Sequence, residues 1–248
     1  MKILMLLICL LAGDAFAQRT ILAVGAHAGD AELTSGAALV RHRQLGDRVV
    51  ILHMSLGERG HPGMAPAEYA AQKRAEAVRA AEVIGAEVIF APYGDGLIPD
   101  DEEARRFVAG VIREVRPTHV ITHWGESIHR DHAATHRIVN DAVLLASLQD
   151  VGLSGPPLRG LRGIYYAENW EDADGFKPYV YVDVSAAEDV WRDAVTAYEF
   201  VRGEISSFHY LEYYQALHVL RGAEARYARA VAFDIGASGK KRILEALP

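Results

Sequence analysis

Apolar and polar positions alternate in blocks along the first half of the chain. Short apolar runs fall at 20–25, 48–54, 87–91 and 118–123, each rich in β-branched residues and bounded by turn residues. Runs of that length and composition predict strands. Between them, apolar residues recur at helical spacing over 31–46, 66–85, 101–115 and 132–148. Gly46 and Gly85 stand where C-terminal caps would close two of these helices, and Pro117 follows a third. Strand–helix alternation of this kind predicts an α/β fold with a mostly parallel sheet and helices on both faces. Beyond the loop Ser154-Gly-Pro-Pro157 the pattern is less regular. Strands are expected at 162–167 and 178–184, and helices at 186–204 and 207–221. The tail from Ala230 to Pro248 yields no assignment.

The 248 residues are 50% hydrophobic and 24% charged, enough for one sizeable core in a single domain. A net charge of −7 with no basic cluster argues against nucleic acid as the main partner. The N-terminus changes the picture more. Met1-Lys2 is a basic start, Ile3 to Ala12 is an apolar run too short to span a membrane, and Ala15-Phe16-Ala17 has the small-x-small form of a cleavage site. Residues 1–17 are expected to be a secretory signal, and 18–248 the mature domain. The protein is then exported, periplasmic or extracellular, with no membrane contact after cleavage. Cleavage also removes Cys9, the only cysteine. Any metal site must therefore use His, Asp and Glu.

In an open parallel sheet, ligands bind beyond the carboxyl ends of the strands. All four predicted strands run there into polar or glycine-rich segments: Gly25-Ala-His-Ala-Gly-Asp30, Ser55-Leu-Gly-Glu-Arg-Gly60, Tyr93-Gly-Asp-Gly96 and His123-Trp-Gly-Glu-Ser-Ile-His-Arg-Asp-His132. The first has neither phosphate-loop spacing, G-x-G-x-x-G or G-x-x-x-x-G-K-[ST], and places a His at its centre. His27 and Asp30 lie on one tight turn, and His129 and His132 on a second loop at the same edge. A catalytic zinc site needs about three protein ligands and an open position. Singly, His27 reads as a loop histidine and Asp30 and Asp131 as helix caps; together, on converging loops, they favour a metal. His136, one helical turn from His132, reads as a surface residue. His42, His53, His61, His119, His123, His209 and His218 lack such grouping and read as structural or pocket-lining. The aromatic segment Phe208-His-Tyr-Leu-Glu-Tyr-Tyr214 reads as a core helix face.

These motifs resemble those of the PIG-L / LmbE-like zinc de-N-acetylases. Ala26-His-Ala-Gly-Asp-Ala-Glu32 is similar to the family's A-H-P-D-D-x-E, and His129-Arg-Asp-His132 to its H-x-D-H. Leu56-Gly-Glu-Arg-Gly60, Lys73-Arg-Ala-Glu-Ala77, Asp95 and Arg116-Pro-Thr-His-Val-Ile-Thr122 extend the likeness over about 20–140. The resemblance implies a Rossmann-like fold and a zinc held by His27, Asp30 and His132. It also implies a catalytic His129 oriented by Asp131, substrate contacts from Arg74 and Asp95, and hydrolysis of an acetyl group from an N-acetylated amino sugar or its conjugate. One departure stands out. Where the family keeps the aspartate that acts as general base, this chain has Gly29. Either another carboxylate substitutes, with Glu32, Glu58 and Glu126 in view, or the site works without a base, or the protein binds zinc and glycan without turnover.

Overall fold

The computed structural model describes residues 18–171, 174–237 and 239–241. The expected signal sequence 1–17 and its Cys9 lie outside them. Seven strands form one sheet. The first is β1 (Thr20–Gly25), followed by α1 (Asp30–Gln44), β2 (Arg48–His53), α2 (Pro66–Ile84), β3 (Glu87–Phe90), α3 (Glu102–Val115), β4 (His119–His123) and α4 (Arg130–Ser147). The second half adds β5 (Gly163–Ala167), β6 (Val180–Asp183), α5 (Glu188–Val195), α6 (Tyr210–Ala225) and β7 (Ala230–Ile235).

The strand order is β3-β2-β1-β4-β5-β7-β6. The first five are parallel; β7 runs antiparallel between β5 and β6. Both faces of the central strands are covered, which is why β1 and β2 read as nearly unbroken apolar runs. Alternate side chains enter separate cores. Ile21, Ala23, Val49 and Ile51 pack toward α1, α2 and α5, with Trp191 and Tyr198 between them. Leu22, Val24, Val50 and Leu52 pack toward α3 and α4, against Val108, Ile112 and Ile138. The chain leaves β1 toward β2 on one side, and β4 lies on the other. That reversal opens a crevice at the carboxyl ends of β1 and β4.

Two assignments in the second half change. The helix expected over 186–204 is α5 alone; after Val195 the backbone turns through bonds such as Tyr198 N–H to Val195 and Val201 N–H to Tyr198. These tighter i→i+3 links turn Tyr198 and Val201 into the core, at 0% and 5% exposure. The unassigned tail contributes β7, whose Ala230–Phe233 are buried because it pairs on both edges. No described helix is long and apolar enough to cross a membrane.

Candidate metal centre

The loop after β1 is shaped by Gly29. Its φ of +110° is closed to ordinary side chains, and it lets the chain turn straight into α1. The turn folds Asp30 back, so that Asp30 Oδ2 accepts from the His27 backbone N–H at 2.8 Å and lies 3.2 Å from His27 Nδ1. The loop after β2 passes close by. A Cβ on Gly57 would sit a tight 3.3 Å from that of His27, and its φ of +71° also favours glycine. From the loop after β4, the His132 ring comes in at the first turn of α4. Its Nε2 lies 3.3 Å from Asp30 Oδ2 and 3.3 Å from His27 Nδ1.

His27 Nδ1, Asp30 Oδ2 and His132 Nε2 thus form a triangle with edges of 3.2, 3.3 and 3.3 Å. Bonds of about 2.0–2.1 Å in a tetrahedral zinc site place neighbouring ligand atoms roughly 3.3 Å apart. The donor set therefore fits zinc in both chemistry and spacing. The support around it fits as well. His27 turns its other nitrogen, Nε2, to Asp95 Oδ1 and Asp131 Oδ2, both at 3.3 Å. A ligating histidine held through its second nitrogen by a carboxylate is the usual outer-shell arrangement of metal sites. Asp131 is fully buried and is itself fixed by the Gly96 N–H at 2.6 Å. Asn169 Nδ2 lies 3.2 Å from His132 Nδ1.

The electrostatics agree. Burial alone would lower the His27 pKa, but Asp30, Asp131 and Asp95 reverse that and hold it well above the ordinary imidazole value. Burial would raise Asp30, but His132 and His27 hold its carboxyl well below the usual range. Three carboxylates around one imidazole make a field that favours a cation at this point. His123 lies beneath. It stacks on His132 at 4.2 Å and accepts the Ala26 N–H through Nε2 at 2.8 Å, and burial pushes its pKa down to about 4. A histidine without an evident sequence grouping is therefore the floor of the site.

His129 is at the centre too, edge-on to His27 at 4.8 Å and stacked on His132 at 4.6 Å. Its pairing differs from the expectation. The Asp131 carboxylate goes to His27 and Gly96; His129 Nδ1 instead caps α4 by accepting the Asp131 backbone N–H at 3.2 Å. Burial, then repulsion from His27 and His132, lowers the His129 pKa instead of raising it. His136 stays outside the donor group, its Nδ1 bonded to the His123 carbonyl at 2.8 Å.

The centre opens into a cavity of about 250 Å³ whose walls include Tyr69, Trp170, Phe200, Tyr210 and Tyr214. Asp95 reaches this cavity as expected. Arg74 does not: it is exposed and lies on the Phe90 ring at 4.1 Å. The cation in the wall is its neighbour Lys73, only 3% exposed. The buried face of α2 is Tyr69, Lys73, Ala77, Ala80, Ala81 and Ile84, a spacing that could have singled out Lys73 from the sequence. Of the three carboxylates expected to replace a base, none lines the cavity. Glu32 is buried beneath α1 against Tyr198 and His53, Glu58 accepts the Asp95 N–H, and Glu126 is exposed. Among the described residues the cavity-lining carboxylates are Asp30, Asp95 and Glu171. The segment after Phe208 is more than a core face: Tyr214 is buried, its hydroxyl donating to Asn169 Oδ1, yet it borders the cavity together with Tyr210.

A parallel sheet with this crevice and this edge of histidines and aspartates matches one family. The GlcNAc-PI de-N-acetylase (PIG-L) pattern matches residues 22–143, which span β1 to α4 and every loop of the donor triangle. A PIG-L domain thus spans residues 22–143, just under half of the chain. The 4-oxalmesaconate hydratase of Pseudomonas putida is 27% identical over 218 residues, 84% of this chain and 82% of its own length. A 1D-myo-inositol 2-acetamido-2-deoxy-α-D-glucopyranoside deacetylase of Kineococcus radiotolerans is 30% identical over 165 residues, 52% of this chain and 46% of its own. The chain thus matches about half the length of that deacetylase. Among solved structures, the conserved protein TT1542 of Thermus thermophilus superposes with a TM-score of 0.78 at 27% identity, covering 88% of this chain and 94% of the other. The N,N'-diacetylchitobiose deacetylase of Pyrococcus horikoshii shares the fold, with a TM-score of 0.77 at 18% identity over 89% and 84% of the two chains.

Proposed function

We propose that the protein is a zinc-dependent hydrolase of the de-N-acetylase type, acting on an N-acetylated amino sugar or its conjugate. The observation that carries this is the triangle of His27 Nδ1, Asp30 Oδ2 and His132 Nε2 at the mouth of an aromatic-walled cavity. The family match over the same loops supports it. Zinc held there supplies a Lewis acid and a water of pKa about 7.

The chain's own groups do the rest. Asp131 and Asp95 hold the His27 ring in place through Nε2. His129 receives the Asp131 N–H on Nδ1, so its own proton is on Nε2. It is thereby a donor for the oxygen of a carbonyl under attack. Asp30 belongs to the donor triangle, and Asp95 is engaged by His27 and by the Arg59 N–H. Among the described wall carboxylates we assign to Glu171, whose Oε2 lies 3.8 Å from His132 Nδ1, the proton that Gly29 cannot take. The aromatic walls hold the substrate body.

A second reading, addition of water to a carbon–carbon double bond, is favoured by one observation: the relative matched over most of both lengths is a hydratase. Export through residues 1–17 belongs to the proposal as well, and N-terminal sequencing of the mature protein should then begin at Gln18.

The test is a panel assay on zinc-loaded protein, measuring acetate release from N-acetylated amino sugars and loss of ultraviolet absorbance from unsaturated carboxylic acids. Acetate release that Asp30→Asn and His129→Ala both abolish supports the deacetylase. Turnover of the unsaturated acids alone transfers the site to the second reading. Zinc and sugar binding without turnover makes it a binding protein. Protein that retains no zinc, with His27→Ala indistinguishable from wild type, overturns the proposal.

A further inference from the structure

Lys73 presents an unusual situation for a lysine. It is 3% exposed, and its ammonium donates to one oxygen, the Ala28 carbonyl, at 2.5 Å. Two ring faces lie against it, Phe200 at 4.2 Å and Tyr198 at 4.5 Å from the centroids, and the carboxylates of Glu76, Asp30, Glu32 and Asp95 act on it without closing an ion pair. Among the described residues it has no ion-pair partner. A buried ammonium without a counter-charge is costly, and ring faces offset only part of that. Burial accordingly pushes its pKa down to about 8. Holding up one carbonyl uses one of its three donors.

The ammonium faces the place where a side chain is missing. A Cβ on Gly29 would lie 3.7 Å from Lys73 Nζ, so an acidic side chain at position 29 would sit beside this cation. The ammonium lies on the cavity wall beside His27, Asp30 and His132, and among the described residues no carboxylate forms an ion pair with it.

We propose that Lys73 is a binding site for a carboxylate carried by the substrate. The substrate's anionic group meets the ammonium from the cavity, beside the Phe200 ring and the donor triangle. A single ammonium between two ring faces suits a flat, singly charged group. A dianionic phosphate would find one cation and the nearby negative charges of Asp30 and Asp95. The inference rests on the proposed function only in placing the substrate in this cavity; it holds for either acyl hydrolysis or water addition.

The probes are malonate, succinate and glutarate, with their neutral diamides, titrated calorimetrically at pH 7 into zinc-loaded and metal-free protein. Acetohydroxamate, a neutral metal-directed ligand, reads the metal half of the site separately. The best-fitting diacid should bind wild type about tenfold or more tightly than its diamide, as expected for a charge-assisted hydrogen bond. Lys73→Met and Lys73→Gln should bring that preference to about twofold or less, Lys73→Arg should keep part of it, and acetohydroxamate binding should not change. No diacid preference in wild type, or one that persists in Lys73→Met, overturns the inference. Loss of acetohydroxamate binding from zinc-loaded wild type speaks against the proposed function instead; the metal-free titrations then still decide on Lys73. Should the neutral variants fail to fold, the wild-type comparison and Lys73→Arg still carry the decision.

Discussion

The Phe200 ring occupies the space that a side chain at position 29 would need: a Cβ there would meet Phe200 Cζ at 2.8 Å. The pair decides what position 29 can hold, the position where the sequence resemblance implies a replaced aspartate. Gly29 has a φ of +110°, and the turn after Val195 brings Phe200 onto it. Gly29→Asp should therefore not restore a general base. Backbone strain of about 1–3 kcal/mol and overpacking of similar size predict a loss of roughly 2–6 kcal/mol. Thermal melts should show a Tm lower by roughly 5–15 °C. Gly29→Asp combined with Phe200→Ala should recover part of that loss, because it removes the clash and leaves only the strain.

Asp131 bears on the candidate metal centre through His27. Asp131→Asn weakens the acceptor opposite His27 Nε2 while keeping the side chain's shape. Zinc affinity should fall about 10–100-fold, read by competition with a chromogenic chelator. The fold should be retained, because the Gly96 N–H can still donate to the amide oxygen of the substituted side chain.

Glu171 and Glu126 should separate cleanly. If Glu171 accepts the proton, Glu171→Gln lowers turnover by about 10²–10⁴ with zinc content unchanged. Glu126 is exposed and outside the cavity, so Glu126→Gln should leave turnover within about twofold of wild type. Arg74→Ala should likewise spare substrate affinity and cost about 0.5–1 kcal/mol of stability, the worth of an exposed cation on the Phe90 ring.

Acid should destabilise the protein even without metal. Burial, followed by repulsion from His42 and Arg162, pushes the His119 pKa down to about 4, against about 6.5 for an unfolded histidine. Between those values the unfolded chain binds the extra proton, so stability rises with pH through this window and falls as pH drops from about 6.5 toward 4. Urea melts of chelator-treated protein at pH 7, 5.5 and 4.5 should show the decline, and His119→Gln should flatten part of it.

Much of this was legible from local pattern. The strand at 20–25 appears at the expected residues, and α1 to α4 begin and end within a few residues of expectation. Strand alternation, caps and helical spacing are short-range properties, and the short-range chemistry of the chain fixes them. The candidate donors were legible for the same reason: His27 and Asp30 share one turn, and His129 to His132 share another, so the sequence displays both halves. The α/β class then brings both loops to one sheet edge.

What the sequence left open involves residues that meet only across the fold. Lys73 enters the site and Arg74 does not, because the apolar face of α2 fixes which of two adjacent cations turns inward. Asp131 holds His27 and not His129, because the His129 ring is committed to capping α4. Phe200, Trp170, Glu171 and Tyr210 come from the irregular second half, where no local period marks a cavity wall. The sequence by itself determined the architecture and the donor types. Only the tertiary structure decided that Gly29 is shut by Phe200 and faces a buried lysine, because that contact joins residues far apart in the chain and depends on how helices and turns pack.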